Sequence, residues 1–180
     1  ETADLAALSN ANIRALSTAN IVALTSDQAA ALSTAQVAAL TTAQVAALQT
    51  DDLNAMGTAQ FAALTTAQVA ALTTAQVANL ETADLAAMNT ANIRALSTAN
   101  IVALTSDEVV ALSTAQAAAL TTAQLAAMQS ADLAAMETAD LVAQEHQAED
   151  GGEPARAPVA RAQRDRGRHG GQPEHAHQRR

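Results

Sequence analysis

The chain has 180 residues, 49% of them apolar, a formal net charge of −9, and no Cys, Lys, Tyr or Trp; Phe61 is its one aromatic residue. This excludes disulfides and thiolate metal sites, and it leaves too few large side chains for a thick core, where each would stabilise by roughly 1.5–3 kcal/mol. No apolar run approaches the roughly 18–20 residues of a membrane span, and the acidic balance disfavours DNA and anionic membranes as partners.

From Glu1 to Gln144 the chain divides into eighteen octads without an insertion or deletion, so that octad 1 is residues 1–8 and octad 18 is residues 137–144. The consensus is [S/T]-T-A-[Q/D/N]-[V/I/L]-A-A-L. Position 2 is always Thr, Ser or Asn, position 4 always Gln, Asn, Asp or Glu, and position 5 always apolar. Position 8 is Leu or Met until Gln144, and position 7 is Ala everywhere but Asn79. A longer period overlies the first: ETADLAALSNANIRALSTANIVALTSD at residue 1 returns as ETADLAAMNTANIRALSTANIVALTSD at residue 81, so residues 1–64 resemble 81–144. Glu1 stands at the first position of a repeat, with no Met and no signal-like segment before it, and the chain is expected to be a piece of a longer array.

Eight residues is not a helical period. In a continuous helix each octad would land about 80° past the last, and the Val/Leu stripe would wind around all faces. A strand would keep its register, but V-A-A-L does not alternate, and Ala and Gln are poor strand residues. A short helix and a turn in each octad fits better. Ser or Thr at position 1 with Gln, Asp or Glu at position 4 is the capping-box pattern, with position 2 an alternative cap. The acids Asp27, Asp51, Asp52, Asp107 and Glu108 come early in their units, where a helix dipole favours them, and A-Q-V-A-A-L is good helix-forming sequence. Such a helix has under two turns and cannot stand alone, so stability must come from neighbouring octads. The expected fold is an all-α solenoid, a superhelix of under-two-turn helices, one per octad. Positions 5 and 8 would line a continuous apolar spine, Ala at positions 3 and 7 would allow close backbone approach, and position 6 would be exposed.

Residues 145–180 break the pattern: they carry seven Arg, six acids and all four His, with Gly and Pro throughout. With no hydrophobic period they are expected to be a disordered tail. It reads either as a functional basic tail or as a frameshifted translation of further repeat DNA. G-G-E-P and G-G-Q-P, read one base later from GC-rich codons, both become Ala-Ala-Ser-Leu. A downstream frame without octads would rule out the frameshift.

The runs LTTAQVAAL, LSTAQVAAL and LTSDEVVAL resemble octapeptide arrays of large bacterial surface or secreted proteins, some adhesin-like and some described as haem-utilisation proteins. The resemblance covers residues 1–144 and none of the tail. It implies a bacterial, secreted or cell-surface setting within a longer chain. The haem connection has no counterpart here, because the array carries no His. LTTAQVAAL also looks like the opening of the TAL-effector repeat, LTPxQVVAIA, but Thr replaces Pro and the base-reading remainder is missing.

For catalysis the array has hydroxyls but no His, Cys, Lys or Tyr to activate them, so it is expected not to be an enzyme. No cofactor is implied. Asp51–Asp52 and Asp107–Glu108 read as solvated helix-start carboxylates rather than a metal site, and His175-Ala176-His177 beside Glu174 as an incidental feature. Phe61, at position 5, reads as core filling. The expected function is a structural spacer or display surface. The alternative is a protein-binding solenoid, whose partner contacts would be the deviant residues Arg14, Asn54, Asn79 and Arg94. A further alternative is a non-functional fragment of a longer array. No nucleic acid, membrane insertion or particular oligomeric state is implied.

Overall fold

The computed structural model describes residues 1–129, with 132–134 and 136 beyond them. The expected tail, with His175 and His177, and the last octad lie outside the described residues. Sixteen helices run from Thr2–Ala6 in octad 1 to Thr122–Ala127 in octad 16, one per octad. The fold is the expected all-α superhelix of short helices.

Each helix starts at position 2 because position 1 is its N-cap. In octad 5 the Ser33 hydroxyl accepts from the Gln36 backbone N–H at 3.2 Å, and the Gln36 side-chain oxygen accepts from the Ser33 N–H at 2.8 Å. Reciprocal bonds of this kind satisfy two of the free amides at a helix start. They recur at Thr41, Thr65, Thr73, Thr105 and Thr121. Helices end within six residues because position 8 turns extended: Leu40 has φ −57° and ψ 143°. The following cap, Thr41, is extended too, with φ −76° and ψ 159°. Two successive extended residues swing the chain into the next helix. All these φ values are negative, so the junction needs no glycine.

The helices pack by a fixed rule. Every well-packed pair is three octads apart, for example Asn10–Ala15 with Thr34–Ala39 and Thr58–Ala62 with Thr82–Ala87. Hydrogen bonds reach the octad four places back, 28 and 31 residues away. Octads thus have neighbours at n+3 and n+4, the relation that residues have on the surface of an α-helix. The chain is a helix whose units are themselves helices, with between three and four octads in each turn.

Positions 5 and 8 face inward through octad 14 and form one continuous apolar cluster that position 8 carries on to Met128, with Phe61 fully buried within it; Leu125 and Leu133, at position 5 near the end of the described residues, are exposed. Position 6 is exposed at Arg14, Val22, Arg94, Val102 and Val110. The expected role of Ala at position 3 is not what the structure shows. Residues such as Ala35, Ala43, Ala67 and Ala75 lie on the outside, because helices stack through positions 4, 5 and 8.

Candidate functional site

The most distinctive polar feature is a ladder of position-4 side chains that connects successive turns. Gln68 donates from Nε2 to the carbonyls of Val37 at 2.7 Å and Leu40 at 2.8 Å, while its Oε1 accepts from Thr65 N–H at 2.7 Å. One side chain therefore caps its own helix and ties it to the helix four octads earlier. Gln36, Gln44, Gln60, Gln76, Gln116 and Gln124 repeat the arrangement. The pairing requires an acceptor and a donor on one group, which a carboxamide supplies. Buried polar groups cost free energy unless bonded, and here both ends are bonded. The sequence signal for this ladder is the unbroken amide-or-acid character of position 4; what it hides is that this position is buried.

Several rungs depart from Gln. Asn92 and Asn100 are one methylene shorter and reach a single carbonyl each, Leu64 at 2.9 Å and Leu72 at 3.0 Å. Asp52, Asp84, Glu108 and Asp132 are acids with no donor to offer when ionised, and each keeps one buried oxygen without a partner. The expectation that Asp52 and Glu108 are solvated caps is overturned: they are 4% and 2% exposed. Adjacent residues point to different sides of a helix, so Asp51 and Asp107 face solvent while Asp52 and Glu108 turn into the stack. Asp52 accepts from Ser26 Oγ at 3.0 Å, and Asp132 from Ser106 Oγ at 3.2 Å, the same device one long repeat apart. Thr58 stands at the same offset from Asp84, but its hydroxyl makes no hydrogen bond to the carboxylate, and Asp84 Oδ2 is left without a partner. Burial, followed by the neighbouring Glu81 carboxylate, pushes its pKa up to about 6.

Of the four candidate partner-contact residues, the structure brings two together. Asn54 donates from Nδ2 to the backbone carbonyl of Asn79, and Asn79 donates from its own Nδ2 to Ala75 O at 2.8 Å. Asn79 thus ties off its own helix, the shortest of the sixteen at four residues. Arg14 and Arg94 occupy the same octad position, are exposed, and form no ion pair with any described residue. Among the described residues no three His, Cys, Asp or Glu side chains lie together as metal ligands.

A family model described as the ALTTAQ repeat matches residues 1–34, 45–82 and 77–114. The chain belongs to the ALTTAQ repeat family. No curated protein and no solved structure matches it. The letters A-L-T-T-A-Q occur in this chain at residues 39–44, 63–68, 71–76 and 119–124. In the ALTTAQ array they span one junction: the spine Leu, the capping Thr, the exposed Thr-Ala pair and the ladder Gln. Among the described residues, no ALTTAQ helix is long and apolar enough to cross a membrane.

Proposed function

We propose that this ALTTAQ array is a non-enzymatic structural module, a spacer or display surface within a larger bacterial surface or secreted protein. The observation that supports it is the use of the polar side chains. The buried carboxamides are committed to holding one turn on the next, so the chemistry inside the array is spent on continuity. Helices pack on helices three octads away and bond to octads four away, so each octad depends on near neighbours in the array and octads can be added without redesigning a core. The outer rows of Thr, Ala and Asp form the surface that such a module would present.

Adding or removing whole octads tests this reading. Helix content per residue should hold constant while the particle dimension in small-angle scattering grows with octad number. Loss of folding on removal of any internal octad would overturn it. A second reading, a protein-binding solenoid, is favoured by Arg14 and Arg94, exposed cations on an acidic array. A pull-down with Arg14→Ala/Arg94→Ala separates the two: unchanged capture removes the binding reading.

A further inference from the structure

The ladder is not uniform: octad 7 carries Asp52, which takes the Ser26 hydroxyl and gives no rung, and the longest gap is a run of four octads. Octads 5, 6, 8, 9 and 10 each carry a Gln that donates to the turn beneath at both position 5 and position 8. Octads 15 and 16 do the same. The four octads between, 11 to 14, are residues 81–112 and carry Asp84, Asn92, Asn100 and Glu108. The two Asn residues give one bond each, and the two acids none. They stack on octads 7 to 10, residues 49–80. One full turn of the superhelix is therefore held to the turn beneath it by the apolar spine with few rungs. These four octads repeat octads 1 to 4, whose position-4 side chains Asp4, Asn12, Asn20 and Gln28 are exposed or half-buried.

We propose that the contact between residues 49–80 and residues 81–112 is the opening joint of the superhelix, and that a proton taken up by Asp84 closes it. Asn92 shows the reach: its Nδ2 meets the carbonyl of Leu64, 28 residues back, at 2.9 Å. The same offset takes Asp84 to the carbonyl of Met56. Asp84 Oδ2 is buried without a hydrogen-bond partner, and an ionised carboxylate has no hydrogen to give that carbonyl. A protonated Asp84 presents an O–H and makes the bond that Asn92 makes. Among the described residues no cation pairs with it. Glu81 lies on its own octad, Asp107 and Glu108 on the packed helix Ser106–Val110, and Asp51 and Asp52 in octad 7; the packed helix Thr58–Ala62 carries no charge. The proton comes from solvent and returns to it, so the joint tightens in mild acid and loosens above neutrality.

Hydrogen–deuterium exchange by mass spectrometry on the whole chain, at pH 7.5 and pH 5.0 and corrected for intrinsic rates, tests this. Peptides from residues 81–112 are expected to exchange at least about tenfold faster at pH 7.5 than peptides from residues 33–48 and 57–72, and the gap is expected to narrow at pH 5.0. In Asp84→Asn, which carries the amide permanently, the gap should be narrow at both pH values. In Asp84→Ala, which can donate at neither, it should stay wide at both. Equal protection across the interior octads at pH 7.5, or a pH response in Asp84→Asn as large as in the unaltered chain, would overturn the proposal.

Discussion

The side-chain amide of Asn54 donates to the backbone carbonyl of Asn79, 25 residues further on and one turn higher in the superhelix. Both residues depart from the repeat, Asn54 where Ala is commonest and Asn79 at the position that is otherwise always Ala. Their meeting turns two isolated irregularities into one link, made where the shortest helix would otherwise leave a carbonyl open. Because the acceptor is backbone, the link depends on only one of the two side chains. Asn54→Ala should lower stability by about 0.5–1 kcal/mol, the net worth of one hydrogen bond. Asn79→Ala should be near neutral. A double-mutant cycle in urea denaturation should give a coupling under about 0.5 kcal/mol, and a larger one would show that the two side chains act on each other directly.

The ladder predicts a difference between two changes of similar size. Gln68→Leu leaves the Thr65 N–H and the carbonyls of Val37 and Leu40 without their buried partner, and should cost about 2–4 kcal/mol at every pH. Gln68→Glu keeps the acceptor for Thr65 N–H but, when ionised, offers the carbonyls no donor. Its cost should shrink as pH falls and the carboxyl gains a proton. Denaturation midpoints between pH 7.5 and pH 4.5 check both; a Glu variant with no pH response would contradict the assigned direction of the Gln68 Nε2 bonds.

Asp84 fixes a sign. Its pKa is raised from 3.8 to about 6 by burial and by Glu81, so between those values the folded chain binds more protons than the unfolded one. Its contribution to stability therefore improves as pH falls through about 6, is fully gained below about 4, and is lost as pH rises. Asp84→Asn should raise stability by about 1–3 kcal/mol at pH 7.5, the scale of relieving an unsatisfied buried polar group, and by much less near pH 4. Thermal melts across this range on both chains measure the difference.

Gly57 occupies a cap position with ordinary backbone geometry, φ −89° and ψ 167°. A Cβ built there meets nothing closer than Gln60 Oε1 at 3.9 Å, an ordinary contact. Gly57→Ser should supply the hydroxyl that other octads use and restrict the unfolded chain, raising stability by about 0.5–1 kcal/mol. A Ser variant that melts no higher would show that the bond from the Gly57 N–H to Gln60 Oε1 suffices to cap this helix.

The octad itself was the legible part of this fold. Thr followed three residues later by Gln, at a spacing no continuous helix can keep in phase, points to short capped helices, and Val69, Leu72, Val77 and Leu80 do share one spine. What the letters could not convey was which turn meets which. Gln68 reads locally as a partner of Thr65; that it also holds Val37 and Leu40 depends on the superhelical repeat, set by the angle between helices and not by any single octad. The same blindness hid Asp52 and Glu108. An acid beside another acid at a helix start reads as surface, and only the stacking shows that position 4 lies between turns while position 3 lies outside. Position 3 misleads for the same reason, since Ala is as suited to a crowded contact as to a bare surface.

The n+3, n+4 neighbour rule gives octad number a second meaning. In such a winding, one octad more or less carries everything downstream through roughly a quarter to a third of a revolution, as one residue more or less does on an α-helix. Anything held at the far end of the array would change its bearing along with its distance. Lineages that gain and lose octads would therefore be adjusting an angle as well as a length, and only additions close to a whole revolution would leave the outward direction of the distant end as it was.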